Sequence, residues 1–179
     1  GQEQGYVVHE GCDHIFFIGF LGAGKSTLAR NLGALFRRSF VDTDRLVERA
    51  RGKSVCDIFA EDGQDCFCRD EAVLRGLAER KSLLVSCGGG IVEGRESCRL
   101  MHQMGTIVFL DGDLEDSLRQ IRHPELRPDF RCAKDAGELY RYRYPLYQRE
   151  ADLTLDIRNK TFDQVCSMAG ALLWEEGLL

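Results

Sequence analysis

The residues Gly19-Phe20-Leu21-Gly22-Ala23-Gly24-Lys25-Ser26-Thr27 bring glycines, a cation and two hydroxyls into one short run, in the spacing G-x-x-x-x-G-K-[ST]. Glycines at those positions let backbone N–H groups turn inward around phosphate oxygens, beside the positive end of a helix. Lys25 supplies a point charge for the β- and γ-phosphates and Ser26 a hydroxyl ligand for magnesium. Gly22, Ala23, Gly24, Lys25, Ser26 and Thr27 are therefore candidate nucleotide-binding residues. The chemistry they suit is the holding of a nucleoside triphosphate. It requires an apolar strand before the loop and a helix after it. His14–Ile18 and Ser26–Arg37 have those patterns.

A second group follows in Phe40-Val41-Asp42-Thr43-Asp44. Side chains alternate along a strand, so Asp42 and Asp44 share a side if the extension continues through both. One acid then supports the hydration shell of the metal while the other accepts a hydrogen bond from a substrate hydroxyl. Thr43 or Asp44 would otherwise only cap the helix Arg45–Arg51.

These groups need a frame that gathers distant loops at one edge. Strand patterns fall at Ile15–Ile18, Ser39–Val41, Leu83–Ser86, Thr106–Leu110 and Leu153–Ile157. Helical patterns fall near 25–37, 44–51, 65–80, 96–104, 113–122, 135–149 and 161–175. Near-continuous apolar strands separated by helices indicate an α/β fold whose five-stranded parallel sheet is covered on both faces. Ligands in such folds bind beyond the carboxyl ends of the strands. Residues 123–134, with two prolines and several charges, have no periodicity and are expected to form a mobile loop. Residues 1–13 are patternless and are set apart as an N-terminal extension or appended remnant. Residues 14–179 form the single folded domain.

Composition narrows the partners. The 179 residues are 44% hydrophobic and 30% charged, values of an ordinary globular chain. Lys and Arg total 24 against 29 Asp and Glu, a net charge of −5, which argues against a general nucleic-acid binder. Arginines 119, 122, 127, 131, 141, 143 and 149 are better read as nucleotide and anion ligands, with Arg119 or Arg122, and the segment Asp156–Lys160 after the last strand, expected near the adenine. No run approaches the ~18–20 apolar residues of a membrane span. Eight cysteines without a C-x-x-C pair read as reduced thiols of a cytoplasmic protein, not as a zinc site. Trp174 closes an apolar helix and reads as packing.

Taken together, the chain from about residue 14 onward resembles the shikimate kinase family, a branch of the P-loop kinases. The resemblance rests on Gly19–Thr27, Val41-Asp42-Thr43-Asp44, Asp57-Ile58-Phe59 with Asp62-Gly63, Gly88-Gly89-Gly90, Arg127-Pro128, and Arg143-Tyr144-Pro145-Leu146-Tyr147. It implies the three-layer α/β/α P-loop kinase fold with a lid loop, and ATP-dependent phosphorylation of the 3-hydroxyl of shikimate with Mg2+, in a monomer. It further implies that Lys25 holds the transferred phosphoryl group and that Ser26 and Asp42 serve the metal. Asp44 binds and orients or deprotonates the attacking hydroxyl. Gly88, Gly89 and Gly90 present N–H groups to substrate and phosphate. Arg127 closes over the phosphates, and Arg143 pairs with the shikimate carboxylate.

Two places depart from the family pattern. The family usually carries Phe-Arg on the helix after Asp-Gly, whereas here Cys68 follows Phe67 and Arg69 comes one place later. One position is a rotation of ~100° on a helix. With Phe67, Leu74, Leu77 and Ala78 as the buried face, Arg69 falls on the far flank from Cys68. Glu71, which matches a family acid near the substrate, is then expected to face the pocket uncompensated. In the lid, Asp129 follows Arg127-Pro128 and puts an acid near the phosphates. The acceptor end is thus expected to bind shikimate more weakly, with Cys68 and Glu71 in its wall. The alternatives are a kinase of the same fold for another small hydroxylated acceptor, and a non-catalytic nucleotide-binding module.

Overall fold

In β1 (His14–Ile18) every residue is buried, and alternation divides the strand between two cores. Phe16 and Ile18 face one side, while Ile15 and Phe17 face the other. The computed structural model describes residues 11–52, 67–120 and 136–179. Arg127 and the 123–134 loop, Asp57–Phe59, Asp62 and Gly63, and the proposed extension up to residue 10 lie outside those residues.

Within the described residues the elements run β1, α1 (Lys25–Phe36), β2 (Phe40–Asp42), α2 (Thr43–Arg51), α3 (Phe67–Gly76), β3 (Leu84–Ser86), α4 (Arg95–Met104), β4 (Gly105–Asp111), α5 (Leu114–Gln120), α6 (Ala136–Glu150), β5 (Leu153–Asp156) and α7 (Phe162–Glu175). Short 3-10 turns occupy Leu77–Glu79 and Ile91–Glu93. The sheet order is β2-β3-β1-β4-β5, and all four pairings are parallel. After β1 the chain crosses to the β2 edge, and β4 later pairs on the other side of β1. The phosphate loop therefore emerges where strand order reverses, the usual ligand crevice of an open parallel sheet.

One face of the sheet is covered by α1 and α7, through Leu28, Ala29 and Leu32 against Val165, Ala169 and Leu173. Trp174 stacks on Phe36 at 6.4 Å, yet remains 64% exposed. The other face is covered by side chains including Leu74 of α3, Met101 and Met104 of α4, and Leu139 and Tyr147 of α6. That makes three layers. Truncating a fully buried ring such as Phe16 or Phe17 to alanine costs about 3–5 kcal/mol.

Local chemistry fixes the ends. The Asp42 side chain caps α2 by accepting from Arg45 N, and α7 begins with a capping box between Thr161 and Gln164. His14 is buried, with Nδ1 accepting from Leu83 N at 3.1 Å. Its proton is therefore on Nε2, which donates to Leu77 O at 2.9 Å. The domain also reaches further back than position 14. Cys12 is buried, its Sγ lies 3.3 Å from Ala78 O, and its carbonyl accepts from Ser82 N. Ala78 itself is exposed, so the buried face expected for α3 ends with Leu77.

Candidate active site

The backbone of the phosphate loop takes left-handed values at Gly22 (φ 77°) and Gly24 (φ 85°), conformations that side chains with a Cβ resist. Gly24 precedes α1 as its N-cap and supplies no side chain, so the first turn of the helix has no side-chain cap. A phosphate oxygen is the natural partner for such a terminus. Lys25, 8% exposed, turns back onto the loop and donates to Gly19 O at 2.6 Å and Phe20 O at 3.0 Å. Burial lowers its pKa to about 8, against the opposing pull of Asp44, Cys87 and Asp42.

Three oxygen-bearing side chains meet beside the loop. Ser26 Oγ donates to Asp42 Oδ2 at 2.6 Å and lies 3.0 Å from Ser86 Oγ. One carboxylate with two hydroxyls suits Mg2+, which keeps waters and phosphate oxygens in its shell and asks little of the protein. Ser26 and Asp42 are thus brought together as expected, and Ser86 is an addition. It ends β3 and pairs with Asp42 across β2.

The acids after β2 differ from the expected arrangement. The strand stops at Asp42, and Thr43 already begins α2. The shared side of an extended strand is therefore not what relates Asp42 to Asp44. Asp44 lies in the first turn of a helix that Asp42 caps, so the acid bonded to Ser26 also helps to position the other. Thr43 is fully buried, and its Oγ1 accepts from Gly88 N at 3.0 Å, tying α2 to the glycine run.

Gly88, Gly89 and Gly90 form a floor between Asp44 and Arg143. A Cβ at Gly88 would lie 2.4 Å from Asp44 Oδ1. At Gly89 it would lie 3.2 Å from Arg143 Nη1, and at Gly90 2.8 Å from Arg143 Nη2. None of the three has positive φ, so space and not backbone conformation demands glycine here. Arg143, on α6, is 3% exposed and makes an ion pair with Glu93. Tyr147, one turn on, donates to Gly89 O at 2.6 Å and fixes the floor to the same helix.

Beyond the phosphate loop a cleft of about 740 Å³ opens past the carboxyl ends of β4 and β5, walled by Gly112, Asp116, Ser117, Asn159, Lys160 and Phe162. Its position and size suit a nucleoside. The segment after β5 lines it as anticipated. Arg119 lies on α5 two residues after Ser117, and its side chain is outside the described residues. Arg158 braces this end of the site, reaching Asp111 at 2.8 Å and Asp113 at 2.9 Å.

Cys68 and Arg69 fall in the first turn of α3, with side chains outside the described residues. Glu71 is not uncompensated. Arg75, one turn along, approaches it at 3.8 Å and also reaches Glu96 of α4. Ser86 and Glu93 are additions to the residues expected from the sequence, where Thr43 figured only as a possible helix cap. Ser86 and Glu93 flank the glycine run, and that adjacency was the available signal.

A phosphate-loop cradle at a switch point, with a metal-suited oxygen cluster and a glycine floor between an acid and a guanidinium beside it, defines a P-loop phosphotransferase. Comparison with known proteins narrows the class. The shikimate kinase family profile matches residues 21–171. The shikimate kinase of Pelotomaculum thermopropionicum is 40% identical over 116 residues, 64% of this chain and 67% of its own. That of Dehalococcoides mccartyi is 32% identical over 157 residues, 86% of this chain and 89% of its own. The structure of a shikimate kinase from Acinetobacter baumannii in complex with shikimate matches with a TM-score of 0.80, 27% identity and 93% of both chains covered. The chain belongs to the shikimate kinase family. A gluconokinase from Sinorhizobium meliloti, at 17% identity and a TM-score of 0.57, shares the fold alone.

Proposed function

We propose that this protein transfers the γ-phosphoryl group of ATP to the 3-hydroxyl of shikimate. The observation that carries the reading is the glycine floor, which sets an acid at one end and a buried guanidinium at the other, with room for no side chain between. A small molecule bearing both a hydroxyl and a carboxylate matches that pair. The planar fork of arginine suits a carboxylate, and Asp44 is placed to accept the proton of the attacking hydroxyl.

The nucleotide end acts through three groups. The α1 terminus and the loop N–H groups hold the phosphates. Lys25 exchanges its contacts with Gly19 O and Phe20 O for phosphoryl oxygens, and its charge opposes the negative charge that builds during transfer. Ser26 and Asp42, with Ser86, would hold Mg2+, which would supply positive charge to offset the negative charge of the phosphates. Arg127 is proposed as the lid cation. Cys68 is proposed to weaken the grip on the acceptor carboxylate, because a thiol replaces one charged donor. The reading carries with it a monomer of the cytoplasm. Free thiols at Cys12, Cys87, Cys98 and Cys166 suit a reducing compartment.

The test is steady-state phosphorylation of shikimate with ATP and Mg2+, beside Asp44→Asn and Cys68→Arg. Turnover that falls by about 10²–10⁴ in D44N is expected, with a lower KM for shikimate in C68R. ATP binding without shikimate phosphorylation in any of the three would sink the assignment.

A further inference from the structure

Arg143 meets a carboxylate before any substrate arrives. Glu93 Oε2 accepts from Arg143 Nε at 2.9 Å and lies 2.8 Å from Nη2, so one oxygen takes a whole edge of the guanidinium. The pair is sheltered, the side chains being 3% and 15% exposed. Glu93 closes the 3-10 turn that follows the glycine floor, and its Oε2 lies 3.5 Å from where a Cβ of Gly90 would be. The acid is therefore held at the same point of the floor as the cation.

We propose that Glu93 determines acceptor specificity by competing with the acceptor's carboxylate for Arg143. An incoming anion meets a neutral ion pair in place of a free cation. It must share the guanidinium with Glu93 or displace it, at a cost set by how strongly a sheltered pair holds. A neutral hydroxylated molecule pays no such cost, so Glu93 narrows the advantage that an anionic acceptor has over a neutral one. The inference rests on the acceptor reading above in taking Arg143 as the carboxylate site.

Glu93 as a mere scaffold for Arg143 makes the opposite prediction, since a scaffold's removal loosens the guanidinium and weakens acceptor binding. The experiment compares wild type, Glu93→Gln, Arg143→Met and their double variant. Its readouts are steady-state kinetics with shikimate and with the carboxamide of shikimate, and calorimetric titration of shikimate. In E93Q the KM for shikimate should fall about tenfold, with the KM for ATP and the KM for the carboxamide unchanged. In the double variant E93Q/R143M the shikimate gain over R143M alone should vanish. A raised shikimate KM in E93Q, or an equal fall for the carboxamide, overturns the competition. Glu93→Asp retains the charge on a shorter arm and should give an intermediate KM. It keeps the test open if E93Q does not fold. Tighter calorimetric binding of shikimate by E93Q without phosphorylation by any protein would remove the acceptor reading and leave the competition standing. Unimproved binding, or binding by none of the proteins, overturns the competition whatever the turnover.

Discussion

Lys25 shows how one side chain sets function against stability. Its ammonium is buried against two carbonyls, and its pKa falls from 10.5 to about 8. The unfolded chain therefore holds more protons than the folded one between about pH 8 and 10.5, and the ligand-free fold gains stability as pH rises through that window. Lys25→Met should raise the melting temperature at neutral pH. The upper bound is about 3 kcal/mol at 1.36 kcal/mol per pKa unit, less the two carbonyl hydrogen bonds. Turnover should fall by at least about 10²–10³ with the loss of the phosphate-facing cation. Thermal melts at pH 7 and pH 10.5 check the first claim, because the gap between wild type and variant should close at the higher pH. ATP affinity of the wild type should weaken as pH rises through about 8. The placement of Lys25 in the loop and of Ser26 at the start of α1 was legible because contiguous spacing encodes it. That of Glu93 was not, because its partner is 50 residues away.

Among the elements, the glycine floor and β1 each make a distinct prediction. Gly90→Ala places a methyl group 2.8 Å from Arg143 Nη2. It should raise the KM for shikimate by about 10- to 150-fold, the worth of a hydrogen bond to a charged group, and spare the KM for ATP. Gly88→Ala presses on Asp44 instead and should lower kcat, so initial-rate kinetics of the two variants separate the ends of the floor. His14 is held neutral by burial, its pKa below 6.5. Below pH 6.5 the unfolded chain takes up a proton that the native ring resists, so stability falls with acidity. His14→Asn should flatten that limb in denaturant titrations between pH 5 and pH 7. Element types were largely readable, and every strand end agrees with the expected one to within one residue. The relation of Asp42 to Asp44 was misjudged because capping ends β2 as soon as Asp42 is placed. The need for glycine at 88–90 is likewise invisible in a linear chain, since the obstructing atoms come from α2 and α6.

Across the whole molecule, two cores lie on opposite faces of one sheet: α1 belongs to one, and much of the acceptor floor's support, with Phe20 and Leu21 of the phosphate loop, belongs to the other. Nucleotide binding should stabilise the folded state by mass action, about 2.7 kcal/mol at a hundredfold excess over Kd. For a chain of this length that is a rise of about 5–10 °C in Tm, measurable by calorimetry with a non-hydrolysable ATP analogue and absent in Lys25→Met. The three-layer plan was legible from apolar strands alternating with helical patterns. The strand order was not, because no periodicity states which strand enters between β1 and β2. The same division gives the sole tryptophan an unplanned use. Trp174 rests on Phe36 in the α1–α7 layer, mostly in water and across the sheet from Arg143. Its emission should already be red-shifted in the native protein. Acceptor titration should leave its intensity unchanged, while separation of α7 from α1 removes the stacked ring and changes its quenching. The indole is thus a native fluorophore for unfolding that is blind to the acceptor.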